Sequence, residues 1–233
     1  MKKILFAVLV ILLMAVPAFA SADNITLSGP LKEAVTAYNE GLDLADKGDY
    51  QASLEKLNKA TDLYKNFSAA YVAKAGVLIS LGDYEEALEA ADKSIEMSPD
   101  QAYAWVNKAT ALIALGRYEE GLEASEKAIS LNPSDTGVLL SAWLNKGTAL
   151  GGLGRYDEEL KAAEKALEIS PQDERALSNK NYAESMISNQ TSQTGTESET
   201  GAEATGSQSS PVSVFAAIAG ISAVAAFRYI RKD

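Results

Sequence analysis

From residue 34 to about residue 187 the apolar side chains recur at i, i+3, i+4 and i+7, the stripe of an amphipathic α-helix. The stripe is broken at regular intervals. Gly48, Gly82, Gly116 and Gly154 lie 34, 34 and 38 residues apart, and each is followed two residues later by a tyrosine: Tyr50, Tyr84, Tyr118 and Tyr156. The strings are KGDYQASL, LGDYEEAL, LGRYEEGL and LGRYDEEL. Pro99, Pro133 and Pro171 close successive units in SPD, NPS and SPQ. This pattern predicts pairs of helices, A and B. The glycine ends helix A in a tight turn. The tyrosine begins helix B and packs its ring back against helix A. The proline ends helix B because the residue before it disfavours helical backbone. Trp105 and Trp143 hold one place in their units, with Tyr71 and Ala37 there in the earlier ones, and they read as packing residues. Ala60, Ala87 and Ala128 mark places where helices approach closely.

Four glycine–tyrosine turns in register with closing prolines resemble the tetratricopeptide repeat family, and the resemblance covers residues 34–173. The units are 34–67, 68–101, 102–135 and 140–173. Residues 136–139 are an insertion of about one helical turn that lengthens the first helix of unit four. Departures from the pattern are Lys65 in place of a proline, Gly121 and Glu159 in place of a small alanine, and Lys74, Lys108 and Lys146 where leucine is common. The resemblance implies an all-α, right-handed superhelical solenoid of four repeats, with a capping helix over 173–187 that covers the open end. It also implies a concave face lined by A helices that holds a protein or peptide partner. Carried onto this chain, unit one offers Val35, Tyr38, Asn39 and Leu42, and unit two offers Ala69, Val72, Gly76 and Ile79. Unit three offers Tyr103, Val106, Asn107, Thr110 and Ile113, and unit four offers Ser141, Leu144, Asn145 and Thr148. The lining is apolar and small, without the basic and amide groups by which chaperone-associated members clamp a C-terminal carboxylate. Ala73, Tyr38 and Leu42 stand where such groups are needed. An extended segment or a helix with apolar anchors fits it. Asn39, Asn107 and Asn145 either bond a ligand backbone or hold neighbouring backbone in place.

The two ends read differently. Residues 1–22 carry Lys2 and Lys3, an apolar run over 4–16, and small residues at Ala18, Ala20 and Ala22, the layout of a secretory signal peptide. Residues 23–33 are a lead-in. Residues 188–210 hold almost nothing large and apolar and read as a disordered Ser/Thr-rich tether. Residues 211–230 are apolar, with an uncharged stretch that covers about 24 Å as helix, short of a roughly 30 Å bilayer core unless Arg228 snorkels. They are expected to form a separate C-terminal transmembrane helix. Arg228, Arg231 and Lys232 resemble the basic end of a prokaryotic C-terminal sorting signal, so a retained anchor and a processed signal both fit. With a cytoplasmic tail at 231–233, the positive-inside rule puts the repeats on the extracytoplasmic side of the cell membrane. Asn24, Asn66 and Asn189 begin Asn-X-Ser/Thr sequons, candidates for glycosylation in an exported chain.

The chain contains no cysteine and no histidine. That excludes thiolate zinc sites, cysteine nucleophiles and triads with an imidazole base. No catalytic, cofactor-binding or metal-ligating set is expected. Net charge is −11, and residues 34–173 hold 24 acids against 13 lysines and arginines, so the repeats carry the acidity and nucleic acid is a poor partner. The Glu-Glu pairs at 85–86, 119–120 and 158–159 begin the B helices, where they complement the helix dipole and face solvent. The resulting expectation is an exported, membrane-tethered scaffold with a groove for a peptide segment. The alternative is a structural or accessory subunit of a cell-envelope assembly or enzyme complex.

Overall fold

Each predicted pair forms as two helices joined by a tight turn. The computed structural model describes residues 29–131 and 135–196, which form nine helices and no strand. Unit one is α1 (Pro30–Asp46) and α2 (Tyr50–Leu63). Unit two is α3 (Ser68–Leu81) and α4 (Tyr84–Met97). Unit three is α5 (Ala102–Ala114) and α6 (Tyr118–Leu131). Unit four is α7 (Thr136–Gly152) and α8 (Tyr156–Ile169), followed by α9 (Glu174–Thr196). The export segment, the C-terminal helix expected at 211–230, the tail and Asn24 lie outside the described residues. Among those described, no helix is long and apolar enough to cross a membrane.

The turns inside the pairs share one solution. Gly48, Gly82, Gly116 and Gly154 all have positive φ. At Gly82, φ is 87° and ψ 8°, its N–H reaches Ile79 O at 3.1 Å, and Asp83 N–H reaches Leu78 O at 2.9 Å. Those two bonds are a Schellman closure, which satisfies the last carbonyls of helix A and requires left-handed backbone at the glycine. The tyrosine rings also reach the following unit. A Cβ on Gly152, in the next unit's A helix, would lie 2.7 Å from the ring of Tyr118. Tyr156 likewise meets Tyr182 of α9, edge to face with centroids 6.0 Å apart.

The core runs as a series of small clusters along the stack. Ala60, Ala87 and Ala128 are fully buried where helices touch. The extra turn of the insertion starts α7 at Thr136, and Asp135 caps it by accepting from Gly137 and Val138 N–H at 2.9 and 3.0 Å. α7 is 17 residues long where α3 is 14. α9 packs on α8 and α7, and runs to Thr196, nine residues past the expected end of the cap and into the expected tether. The hydroxyls there fold onto their own helix: Thr191 Oγ1 donates to Ser188 O at 2.9 Å and Ser192 Oγ to Ser188 O at 2.8 Å. Extending a helix already nucleated by packing costs little, so polar composition alone did not end it.

Gly82→Ala places a Cβ in left-handed backbone and is expected to lower stability by about 1 kcal/mol. Urea unfolding followed by helical circular dichroism measures it, and an unchanged midpoint contradicts the account of the turn.

Candidate protein-binding groove

The A helices of successive units touch one another, α3 on α5, α5 on α7 and α7 on α9, in addition to the contacts between chain neighbours. A stack whose A helices lie this close together curves with them on the inside. The sequence-selected positions lie on these A helices, and most are covered. Asn39 is exposed, Val35, Leu42, Ala69, Tyr103 and Ile113 are half-buried, and the others are buried. Val72 keeps 6% of its surface, Val106 5% and Thr148 8%, whereas Ala75, Ala109 and Leu112 keep none. The former are a narrow floor and the latter the core behind it. Tyr38 lies against Phe67 with centroids 5.0 Å apart, and burial pushes its phenol up to about 12. Ile79 is 2% exposed and belongs to the core. The groove is therefore shallower than the register implies, because the same side chains seal one unit to the next.

Two of the three asparagines act on neighbouring backbone. Asn107 Nδ2 donates to Val72 O at 3.0 Å, from α5 to α3. Asn145 Nδ2 donates to Thr110 Oγ1 at 2.9 Å and Val106 O at 3.3 Å, from α7 to α5. Asn179, which the sequence reading passed over, repeats the pattern from α9 to α7, with Thr148 Oγ1 at 3.4 Å and Leu144 O at 3.5 Å. Carrying the register 34 residues beyond Asn145 finds it. Among the described residues no unit precedes that of Asn39, and its side chain is exposed.

The lysines at the leucine positions also act between units. Lys108 on α5 pairs with Asp92 on α4 at 2.7 Å and lies 5.5 Å from the Trp105 ring centre. Lys146 on α7 pairs with Glu126 on α6 at 2.7 Å and lies 5.4 Å from Trp143. The register equivalent of those acids for Lys74 is Asn58. Burial, with Lys93 nearby, holds the Lys74 ammonium below the usual lysine range. Trp105 Nε1 donates to Pro99 O at 2.8 Å, which fits its packing role.

Glu159 departs from the expected solvated face. Glu85, Glu86, Glu119, Glu120 and Glu158 are exposed, but Glu159 is 2% exposed. It occupies the close-approach position held by Ser53, Ala87 and Gly121 in the other units. Gly151 makes the room: a Cβ there would lie 2.7 Å from both carboxyl oxygens. Burial pushes the Glu159 carboxyl up to about 8. Among the described residues, no group of side chains has metal-binding geometry. Asn66 and Asn189 are both exposed.

Two models of the tetratricopeptide repeat family match the chain, over residues 38–102 and 100–172. No curated protein matches it by sequence. Among solved structures, MamA residues 41 to the end from Desulfovibrio magneticus RS-1 superposes with a TM-score of 0.55 at 18% identity, covering 72% of this chain and 98% of that one. A tetratricopeptide repeat protein from Parabacteroides merdae ATCC 43184 superposes with a TM-score of 0.54 at 20% identity, covering 68% and 61%. At these identities the likeness is one of fold.

Two outcomes follow from the contacts between units. Asn145→Ala is expected to cost about 1 kcal/mol by urea unfolding, since it removes a buried clamp, whereas Asn39→Ala leaves the midpoint in place. Asn58→Asp is expected to raise the Lys74 pKa, read by NMR titration of the lysine side chain, and to add a few tenths of a kcal/mol. A lowered Lys74 pKa contradicts the assigned register.

Proposed function

Because the chain belongs to the tetratricopeptide repeat family, we propose that it is a scaffold whose inner face docks a segment of another protein. The observation that carries this reading is an uncharged inner strip in an acidic chain. From Ala69 and Val72 through Tyr103, Val106 and Thr110 to Ser141, Leu144 and Thr148, no position carries a charge, against a net charge of −11 for the whole. A segment lying there meets small apolar side chains and hydroxyls already bonded to their own helix, such as Thr110 Oγ1 on Val106 O at 3.0 Å. It finds no ammonium or guanidinium to hold a carboxylate. The partner segment is therefore uncharged, with small apolar anchors, and its specificity comes from shape and from the exposed rim: Val35, Asn39, Leu42 and Tyr103.

The scaffold is, on this reading, exported and tethered by its C-terminal segment. The support is in the sequence of the ends: a basic start, apolar run and small-residue site over 1–22, and an apolar stretch followed by Arg228, Arg231 and Lys232. Asn66 and Asn189 would then face the compartment where sequons are modified.

A photo-crosslinking residue at Tyr103 is expected to give a discrete adduct in cells, and one at Glu123, exposed on α6, is not. Ala69→Arg should abolish the Tyr103 adduct while the helical signal is retained. Equal labelling from both positions, or an adduct indifferent to Ala69→Arg, would count against the groove. For the ends, intact mass of membrane-extracted protein is expected to lack residues 1–20 or 1–22. A mass that still includes them contradicts signal cleavage.

A further inference from the structure

Glu159 lies where three helices meet: it belongs to α8, its carboxyl faces Gly151 of α7, its backbone carbonyl and Asn179 of α9 both approach Gly147, and its charge is felt by Tyr182 of α9. Its Oε2 is buried and has no hydrogen-bond partner. A buried carboxyl without a partner is tolerable only while it is neutral, because ionising it without solvent or a cation is costly. Among the described residues, no cation relieves it. α7 carries one, Lys146, held by Glu126. On α9, Arg175 bridges Asp173 and Lys180 lies 3.8 Å from Glu184, while Glu174 and Glu184 are acids that would repel. On α8, Arg155 is taken by Glu158 and Lys165 by Glu168, and Asp157, Lys161 and Glu164 are exposed. Burial alone sets the proton affinity of Glu159.

The three helices are not held equally. α7 and α8 pack on each other, and α7 also packs on α5 and α6. α9 packs on α8 and α7 alone among pairs with substantial contact, and its far side carries Leu177, 40% exposed. Its asparagine clamp is also the longest of the three, at 3.4 and 3.5 Å against 2.9 to 3.3 Å for Asn107 and Asn145. If water is to reach Glu159, α9 is the element that yields. We propose that Glu159 is a proton-held latch for the terminal helix: α9 docks on α7 and α8 while the carboxyl is neutral and loosens when the carboxyl ionises. The device would couple the pH around the repeats to the seating of the helix that leads into residues 197–233.

The direction follows from linkage. The carboxyl holds its proton up to about 8 when docked and has an ordinary value of 4.5 when solvated. Docking is therefore fully favoured below about 4.5, weakens as pH rises by up to roughly tenfold per unit, and levels off once pH passes about 8. Tyr182, held above its ordinary range by burial and by Tyr156, stays neutral throughout.

Hydrogen exchange of the full chain between pH 5.5 and 9, corrected for intrinsic rates, reads this helix by helix. Protection over 174–196 is expected to fall at least tenfold across that range while α1 to α4 hold theirs. Glu159→Gln should keep α9 protected at pH 9 and flatten the dependence. Glu159→Ala, matching Ala87 in unit two, serves as a second neutral variant should the glutamine disturb packing. A pH-independent α9 in the wild type, the same dependence in both variants, or an equal loss over all helices would overturn the proposal.

Discussion

A helix pair with one apolar face on each side cannot bury itself, and every other feature of this chain answers that constraint. Each unit must be covered by the next, so the contact that joins two units has to be one that repeats. The chain supplies it three times over. Asn107, Asn145 and Asn179 tie α5, α7 and α9 each to a carbonyl of the A helix before it. Tyr118 and Tyr156 lay their rings on the following A helix. Lys108 and Lys146 reach back to acids on the preceding B helix. The asparagines matter most of these, because they satisfy buried groups, whereas the lysine pairs are partly exposed and of small net value.

Within a unit, the close approach of A and B is governed by paired volumes. The A-helix position eight residues before the small B-helix residue is Ala45, Ile79, Ile113 and Gly151 in the four units, facing Ser53, Ala87, Gly121 and Glu159. A Cβ on Gly121 would come 2.7 Å from Ile113 Cγ1, and one on Gly151 equally near the Glu159 carboxyl. Large meets small in both units, with the two sides exchanged. Packing complementarity of this kind preserves volume but not polarity. In unit four it leaves a carboxyl inside the protein with only burial around it.

The glycines and prolines were legible in the sequence because each acts on local backbone, and local backbone needs no knowledge of the rest of the fold; the tyrosines were legible because each recurs two residues after its glycine. The solenoid, its four units and the lengthened α7 follow from them. The inner face was legible only as a set of positions. How far Val72, Val106 and Leu144 are covered depends on how tightly successive A helices approach, which no single unit encodes. Glu159 was misread because it follows Glu158 in a motif that is solvated elsewhere. The glycine that makes room for it sits in another helix. Tyr118 also reaches the A helix of the next unit, a contact that nearness along the chain does not announce.

The end of the array can be read from the same register. α9 continues the A-helix frame, with Asn179 at the place of Asn145 and Ala183 at that of Ala149 on the side that faces the stack. On the side where another helix would pack, the residues change character. Glu174, Ser178, Asn181 and Glu184 stand where α7 has Leu140, Leu144, Gly147 and Leu150, and Leu177 replaces Trp143. One face of α9 thus keeps the code for joining a unit while the other has lost it. A further pair laid on α9 would have to bury the Glu174 carboxylate and the Lys180–Glu184 pair, which opposes growth more firmly than a missing apolar residue would. Among the described residues the array closes on a helix that is complementary to the unit before it and unsuited to another unit after it.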